Sequence, residues 1–150
     1  MALISDKDQQ GLKDRLRREL KRDVTIRFFT RKTFGLTIPG RECATCDDTQ
    51  KLLQELVALS PKLHLETKDF FSEPQAARDA GVERIPAIVL GSDGASNAKF
   101  YGMPAGYEFA SLLESLIAAS RGVSQLSLET RKKLKRVKAP VRILAFVTPT

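Results

Sequence analysis

Cys43 and Cys46 stand three positions apart in the stretch "RECATCDD", and no other cysteine occurs among the 150 residues. Such a pair suits three chemistries: thiol–disulfide exchange, half of a metal site, or plain packing of two small apolar residues. In exchange the thiolate is the nucleophile, and a free cysteine at neutral pH is mostly protonated. A helix N-terminus shifts that balance, because its unpaired backbone N–H groups and its macrodipole stabilise negative charge. Helical spacing begins just after the pair, so Cys43 is expected at or just before such a terminus. Arg41 adds to the stabilisation, whereas Glu42, Asp47 and Asp48 oppose it. The expected roles follow: Cys43 attacks a substrate disulfide, and Cys46, one helical turn away, resolves the mixed disulfide. No cofactor is needed for that exchange.

A structural zinc site takes four ligands, and beyond the pair the chain has a single histidine, His64. His64 lies in an alternating stretch, where a side chain on one face of a sheet is the simpler reading. No metal site is therefore expected within one chain. A site shared between two chains, and cysteines that merely pack, stay open as alternatives.

The elements that position the pair come from a chain of ordinary domain length with 42% apolar residues, enough to bury a core. Two neighbouring cysteines cannot build the framework of bridges on which small secreted domains depend. The start, "MALISDKDQQ", turns charged within six residues, which leaves no apolar core for a signal peptide. No run of about eighteen apolar residues is present to span a membrane. The expectation is a cytoplasmic protein without a membrane partner, in a reducing compartment where a cysteine pair is catalytic or metal-bound rather than structural. The net charge is +7, yet the basic residues are spread, Trp is absent and Tyr occurs twice. The densest basic run, "RKKLKRVK", reads as a helix with a solvated face, and no nucleic-acid partner is expected.

Ser5 is a capping candidate for a first helix whose apolar stripe is Leu12, Leu16 and Leu20. "DVTIRFFT" alternates Val24, Ile26 and Phe28 as a strand does. Leu52, Leu53, Leu56, Val57 and Leu59 mark the helix that starts from Ala44 onward and is stopped by Pro61. "LHLETKDF" reads as a strand, "EPQAARDAG" as a short helix closed by Gly81, and "IPAIVL" as a buried strand. "GSDGASN" then makes a hairpin turn into "AKFYG", and "AGYEFASLLESLIAAS" is a long amphipathic helix ended by Gly122. This order predicts an α/β fold, a mixed four-stranded sheet with helices on both faces. Beyond it, "SLETRKKLKRV" is a second charged helix. "VRILAFVTPT" alternates again as a strand, with Val141 placed like Val24, as in the start of a repeated unit.

The pair at a helix start after a strand, with "RIPAIVL" downstream, resembles the thioredoxin fold, in which a cis-proline loop faces the active-site cysteines. That likeness implies a cis peptide at Ile85–Pro86, with the Ile85 backbone pairing with an extended substrate segment. "LISDKD", "FYGMPAGYEFASLLE" and "VRILAFVTPT" extend the resemblance over nearly the whole chain. Together they are similar to the glutaredoxin-like protein disulfide oxidoreductases of archaea and bacteria, built from two thioredoxin-fold units in tandem. The design is also similar to the N-terminal domain of the flavoprotein component of alkyl hydroperoxide reductase. The resemblance implies a thioredoxin-fold unit over 1–122. Residues 123–150 are then a linker, an extra C-terminal helix and the first strand of an incomplete second unit. It also implies protein disulfide substrates and a flavoprotein of the thioredoxin reductase type as electron donor.

Three features depart from the family. The second Cys-x-x-Cys that follows "FVTPT" is missing, Ala44–Thr45 lacks the usual proline or aromatic, and "TFGLTIPGRE" is longer than the loop expected there. Phe34, Leu36 and Ile38 in that loop are placed to line a substrate surface or to cover Cys43. A strand at Val141–Val147 without its own unit is an edge that invites pairing, so a homodimer through it is expected. The alternative to an oxidoreductase is a non-catalytic binding or assembly module with an interchain metal.

Overall fold

Apolar residues on both sides of the pleat and a β-branched or aromatic majority suit a central strand. The segment concerned forms β1 (Val24–Thr30) of the computed structural model, which describes residues 3–32, 39–91, 98–123 and 126–146. On one side β1 pairs in parallel with β2 (Leu63–Asp69), with Val24 opposite Leu63 and Thr30 opposite Asp69. On the other it pairs antiparallel with β3 (Ala87–Leu90), which continues into β4 (Ala98–Tyr101) as an antiparallel pair. The strand order is β2-β1-β3-β4, the mixed four-stranded sheet expected. Its register places Thr30, Asp69, Ala87 and Tyr101 at one end of the sheet.

Alternation along β1 and β3 splits the core into two layers. Ile26 and Phe28 with Ile88 and Leu90 face a cluster completed by Leu16, Leu53, Leu56, Leu112, Leu116 and Ile117. These come from α1 (Asp6–Glu19), α2 (Cys46–Val57) and α4 (Tyr107–Arg121), which cover this face. Phe29, Ala87 and Val89 face the other way, onto Ala77 of α3 (Pro74–Asp79) together with Ala80 and Val82. Each fully buried Leu, Ile or Phe contributes about 1.5–3 kcal/mol relative to an exposed one, so the larger layer carries most of the stability.

Polar contacts lock the helices over that layer. Ser5 caps α1 by accepting from the Asp8 N–H at 3.2 Å. Arg15 and Arg121 both pair with Glu19 at 3.0 Å, and Arg15 also reaches Glu114, which ties α1 to α4. Buried Ser120 accepts from the Lys21 and Arg22 N–H groups and donates to the Arg22 carbonyl, fastening the end of α4 to the α1–β1 connection. Gly122 then ends α4 at φ +65°, and the Arg22 guanidinium lies where a Cβ would stand. The left-handed φ favours glycine there, while the Arg22 guanidinium, at the end of a flexible side chain, could shift to admit a Cβ.

The second charged helix is present as α5 (Leu128–Leu134), capped by Ser127, but it has no buried residue. The strand expected at Val141–Val147 is not formed: residues 141–146 have no regular structure and are exposed, and Val147 lies outside the described residues. A strand needs a neighbour for its N–H and C=O groups, and no edge of the sheet receives this segment. The expected loop residues Phe34, Leu36 and Ile38 and most of the "GSDGASN" turn also lie outside the described residues. No helix among the described residues is long and apolar enough to cross a membrane.

Candidate active site

Helix α2 begins at Cys46, two residues later than its apolar spacing suggests. Ala44 and Thr45 form a turn, and a disulfide joins Cys43 to Cys46 with their Cα atoms 5.5 Å apart. Cys43 therefore sits just ahead of the helix and Cys46 is its first residue. Thr45 at the cap position gives no side-chain hydrogen bond, so the first turn of α2 keeps backbone N–H groups for a charge at the pair. Both cysteines are buried, but not equally: Cys43 is 9% exposed and Cys46 0%. In exchange the less buried cysteine is the one a substrate meets, and the fully buried one is reached from its partner.

The cation hydrogen-bonded to Cys43 is not the one two residues before it. Arg41 lays its guanidinium on the ring of Phe71, 4.7 Å from the centroid. Arg31, the residue after β1, is the one that reaches the site. It donates from Nη2 to the Cys43 carbonyl at 3.3 Å and lies 3.8 Å from the Asp47 carboxylate. Its charge thus offsets one of the acids that oppose a thiolate at Cys43. Nothing in local spacing points to Arg31, because the contact crosses twelve residues of intervening chain.

Asp69 is a second residue that sequence reasoning missed. Its buried carboxylate accepts from the Lys32 N–H at 2.6 Å, the Ser72 N–H at 2.6 Å, the Phe71 N–H at 3.1 Å and the Ser72 hydroxyl. Burial pushes its pKa up, but the hydrogen bonds from Ser72 and from the Lys32 and Phe71 backbone outweigh that and hold it below the ordinary aspartate value. The carboxylate joins the exit of β1 to the exit of β2. It thereby fixes the point from which the chain leaves for Cys43.

Ile85–Pro86 is cis, as the resemblance implies. Pro86 precedes Ala87, which pairs with Phe29, so the peptide lies at the same end of the sheet as the β1 exit toward Cys43. The Pro86 carbonyl accepts from the Gly102 N–H at 3.0 Å, with Gly102 at φ +89°. Pro86 is buried and Ile85 half-buried. Among the described residues no hydrogen bond engages the Ile85 main chain.

His64 stands far from this end. It is in register with Thr25 at the start of β1, exposed, and its Nε2 is 3.1 Å from Asp23. Among the described residues no three His, Cys, Asp or Glu side chains gather where a metal ion would be held.

No family model matches the chain, and no curated protein matches it by sequence. Solved structures do. A protein disulfide oxidoreductase from Aeropyrum pernix is 25% identical with a TM-score of 0.74, over 92% of this chain and 57% of that one. The alkylhydroperoxide reductase component AhpF of Enterococcus faecalis is 23% identical with a TM-score of 0.70, over 87% of this chain and 59% of that one. Thioredoxin from Fasciola hepatica is 18% identical with a TM-score of 0.50, over 79% of this chain and 99% of that one. The chain thus spans less than two thirds of the first two and nearly all of the thioredoxin. A mixed sheet β2-β1-β3-β4, a Cys-x-x-Cys at a helix start and a cis-proline before β3 give this chain a thioredoxin-like fold, similar to that of the protein disulfide oxidoreductase.

Proposed function

We propose that the protein is a thiol–disulfide oxidoreductase that exchanges disulfides with protein substrates. The observation that carries this reading is the Cys43–Cys46 disulfide at the start of α2, with Cys43 the less buried of the two and Cys46 fully buried. In the reduced protein the Cys43 thiolate attacks one sulfur of a substrate disulfide. The S–S bond breaks, the other substrate sulfur leaves as a thiolate, and a mixed disulfide forms. The Cys46 thiolate then attacks the Cys43 sulfur, which releases the second substrate sulfur and regenerates the Cys43–Cys46 disulfide. Two electrons have passed to the substrate, and its two thiolates take protons from solvent. A flavoprotein of the thioredoxin reductase type restores the dithiol.

Pro86 shapes the groove beside Cys43, and the unengaged Ile85 main chain pairs with an extended substrate segment, adding a strand-like contact. In this reading residues 1–122 are the working unit, and residues 123–150 are the linker, helix and opening segment of a second one. Insulin reduction driven by dithiothreitol tests the assignment. Cys43→Ser is expected to fall to the rate of dithiothreitol alone, and Cys46→Ser to accumulate a mixed disulfide visible on a non-reducing gel. A Cys43→Ser protein that keeps the wild-type rate overturns the proposal.

A further inference from the structure

Two cations flank the site in a way the exchange chemistry does not use. Arg41 lies two residues before Cys43 and Arg84 two residues before Pro86. Both side chains are exposed, and each guanidinium is laid on an aromatic ring: Arg41 on Phe71 at 4.7 Å, Arg84 on Tyr101 at 4.2 Å. The rings belong to one surface. Phe71 meets Phe70 edge-on at 5.3 Å, and Phe70, Ile85 and Tyr101 all pack on the cluster under α3. Phe71 follows the end of β2 and Tyr101 ends β4, the two edge strands, so the cations stand on opposite sides of the β1 exit and the Pro86 loop.

Three strand spacings separate those edges, roughly 14 Å, which is about the span of four extended residues. A guanidinium on a ring face loses little freedom when it meets a carboxylate, and it keeps its in-plane donors free for that partner. Neither Arg41 nor Arg84 enters an ion pair among the described residues, whereas Arg31 faces Asp47. Exposed Glu42, Asp48 and Glu83 lie nearby, so net charge does not make this surface selective. The placement of the two cations does.

We propose that Arg41 and Arg84 select substrates, favouring an extended protein segment with acidic side chains on both sides of its target cysteine. The inference rests on the redox reading for the identity of the site, but its test does not depend on turnover. The probe is a pair of fluorescent peptides carrying Ser in place of the target cysteine, one flanked by Glu and one by Lys, titrated with the oxidised full-length protein at low salt. The Glu peptide is expected to bind about tenfold more tightly than the Lys peptide, the sum of two exposed charge contacts, and to lose that advantage in high salt. Arg41→Gln with Arg84→Gln abolishes the preference, and Arg41→Glu with Arg84→Glu inverts it, which a merely misfolded variant does not do. Equal binding of the two peptides, or a preference that survives both double variants, overturns the inference. Equal binding together with an active wild type and an inactive Cys43→Ser leaves the redox reading intact, so the two fail separately.

Discussion

Val24, Ile26 and Phe29 in β1 are 5%, 0% and 1% exposed, whereas Val141, Ile143 and Phe146, at the matching places of "VRILAFV", are 70%, 87% and 92% exposed. The two segments share a pattern, yet one is the central strand and the other has no regular structure. What separates them is what arrives beside them. β1 receives β2 and β3 on its two edges and helices on both faces, while residues 141–146 follow a helix with no buried residue. A strand pattern states which side chains can be buried together; only a neighbour supplies the hydrogen bonds and the apolar surface that make burial favourable.

The contrast is sharpest where a core side chain is removed. Phe28→Ala is expected to cost about 3–5 kcal/mol in urea unfolding, and Phe146→Ala to change stability by no more than about 0.5 kcal/mol. A comparable loss at Phe146 means that the segment is packed in solution and breaks the comparison.

A smaller effect is expected at Asp69, where four donors of the packed unit converge. Asp69→Asn places an amide among those donors and is expected to cost about 1–3 kcal/mol at pH 7. The folded-state pKa of Asp69 lies below the ordinary value of about 3.9, so its contribution is complete above that value and is lost as pH falls through the depressed one. The gap between wild type and Asp69→Asn is therefore expected to narrow in acid, and unfolding curves measured from pH 7 down to acid check the sign. A gap that is constant with pH sinks this assignment of the carboxylate.

The smallest difference pits two caps of the same design against each other. Ser5 accepts from the Asp8 N–H at 3.2 Å and Ser127 from the Thr130 N–H at 3.1 Å. Ser5→Ala is expected to lower global stability by about 1 kcal/mol, because α1 is packed through Leu16. Ser127→Ala is expected to leave the unfolding midpoint unchanged and to reduce only helical signal, since α5 unravels without disturbing any buried contact.

Much of the site was legible because its chemistry is local. Cys43 and Cys46 are bound by spacing to one helix start, and the apolar runs on either side are long enough to reveal the strand before them and the helix after them. The cis peptide at Ile85–Pro86 followed from a family likeness and not from periodicity. Arg31 and Asp69 were not legible, because each acts on atoms far along the chain: Arg31 on the Cys43 carbonyl, Asp69 on the Lys32 N–H. The contact of Arg41 with Phe71, thirty residues further on, was not legible for the same reason.

By itself the sequence determined the order of elements in the unit, the cap at Ser5, the stop at Gly122 and the redox-competent spacing of Cys43 and Cys46. These depend on dihedral preferences, capping donors and periodicity, all of which act within a few residues. Tertiary structure alone decided that "VTIRFFT" is a central strand and "VRILAF" is not, that Arg31 reaches the Cys43 carbonyl, and that Cys46 is more deeply buried than Cys43. Those outcomes depend on which edge, ring or carbonyl is brought alongside, and the free energy of that choice belongs to the packed sheet and its covering helices.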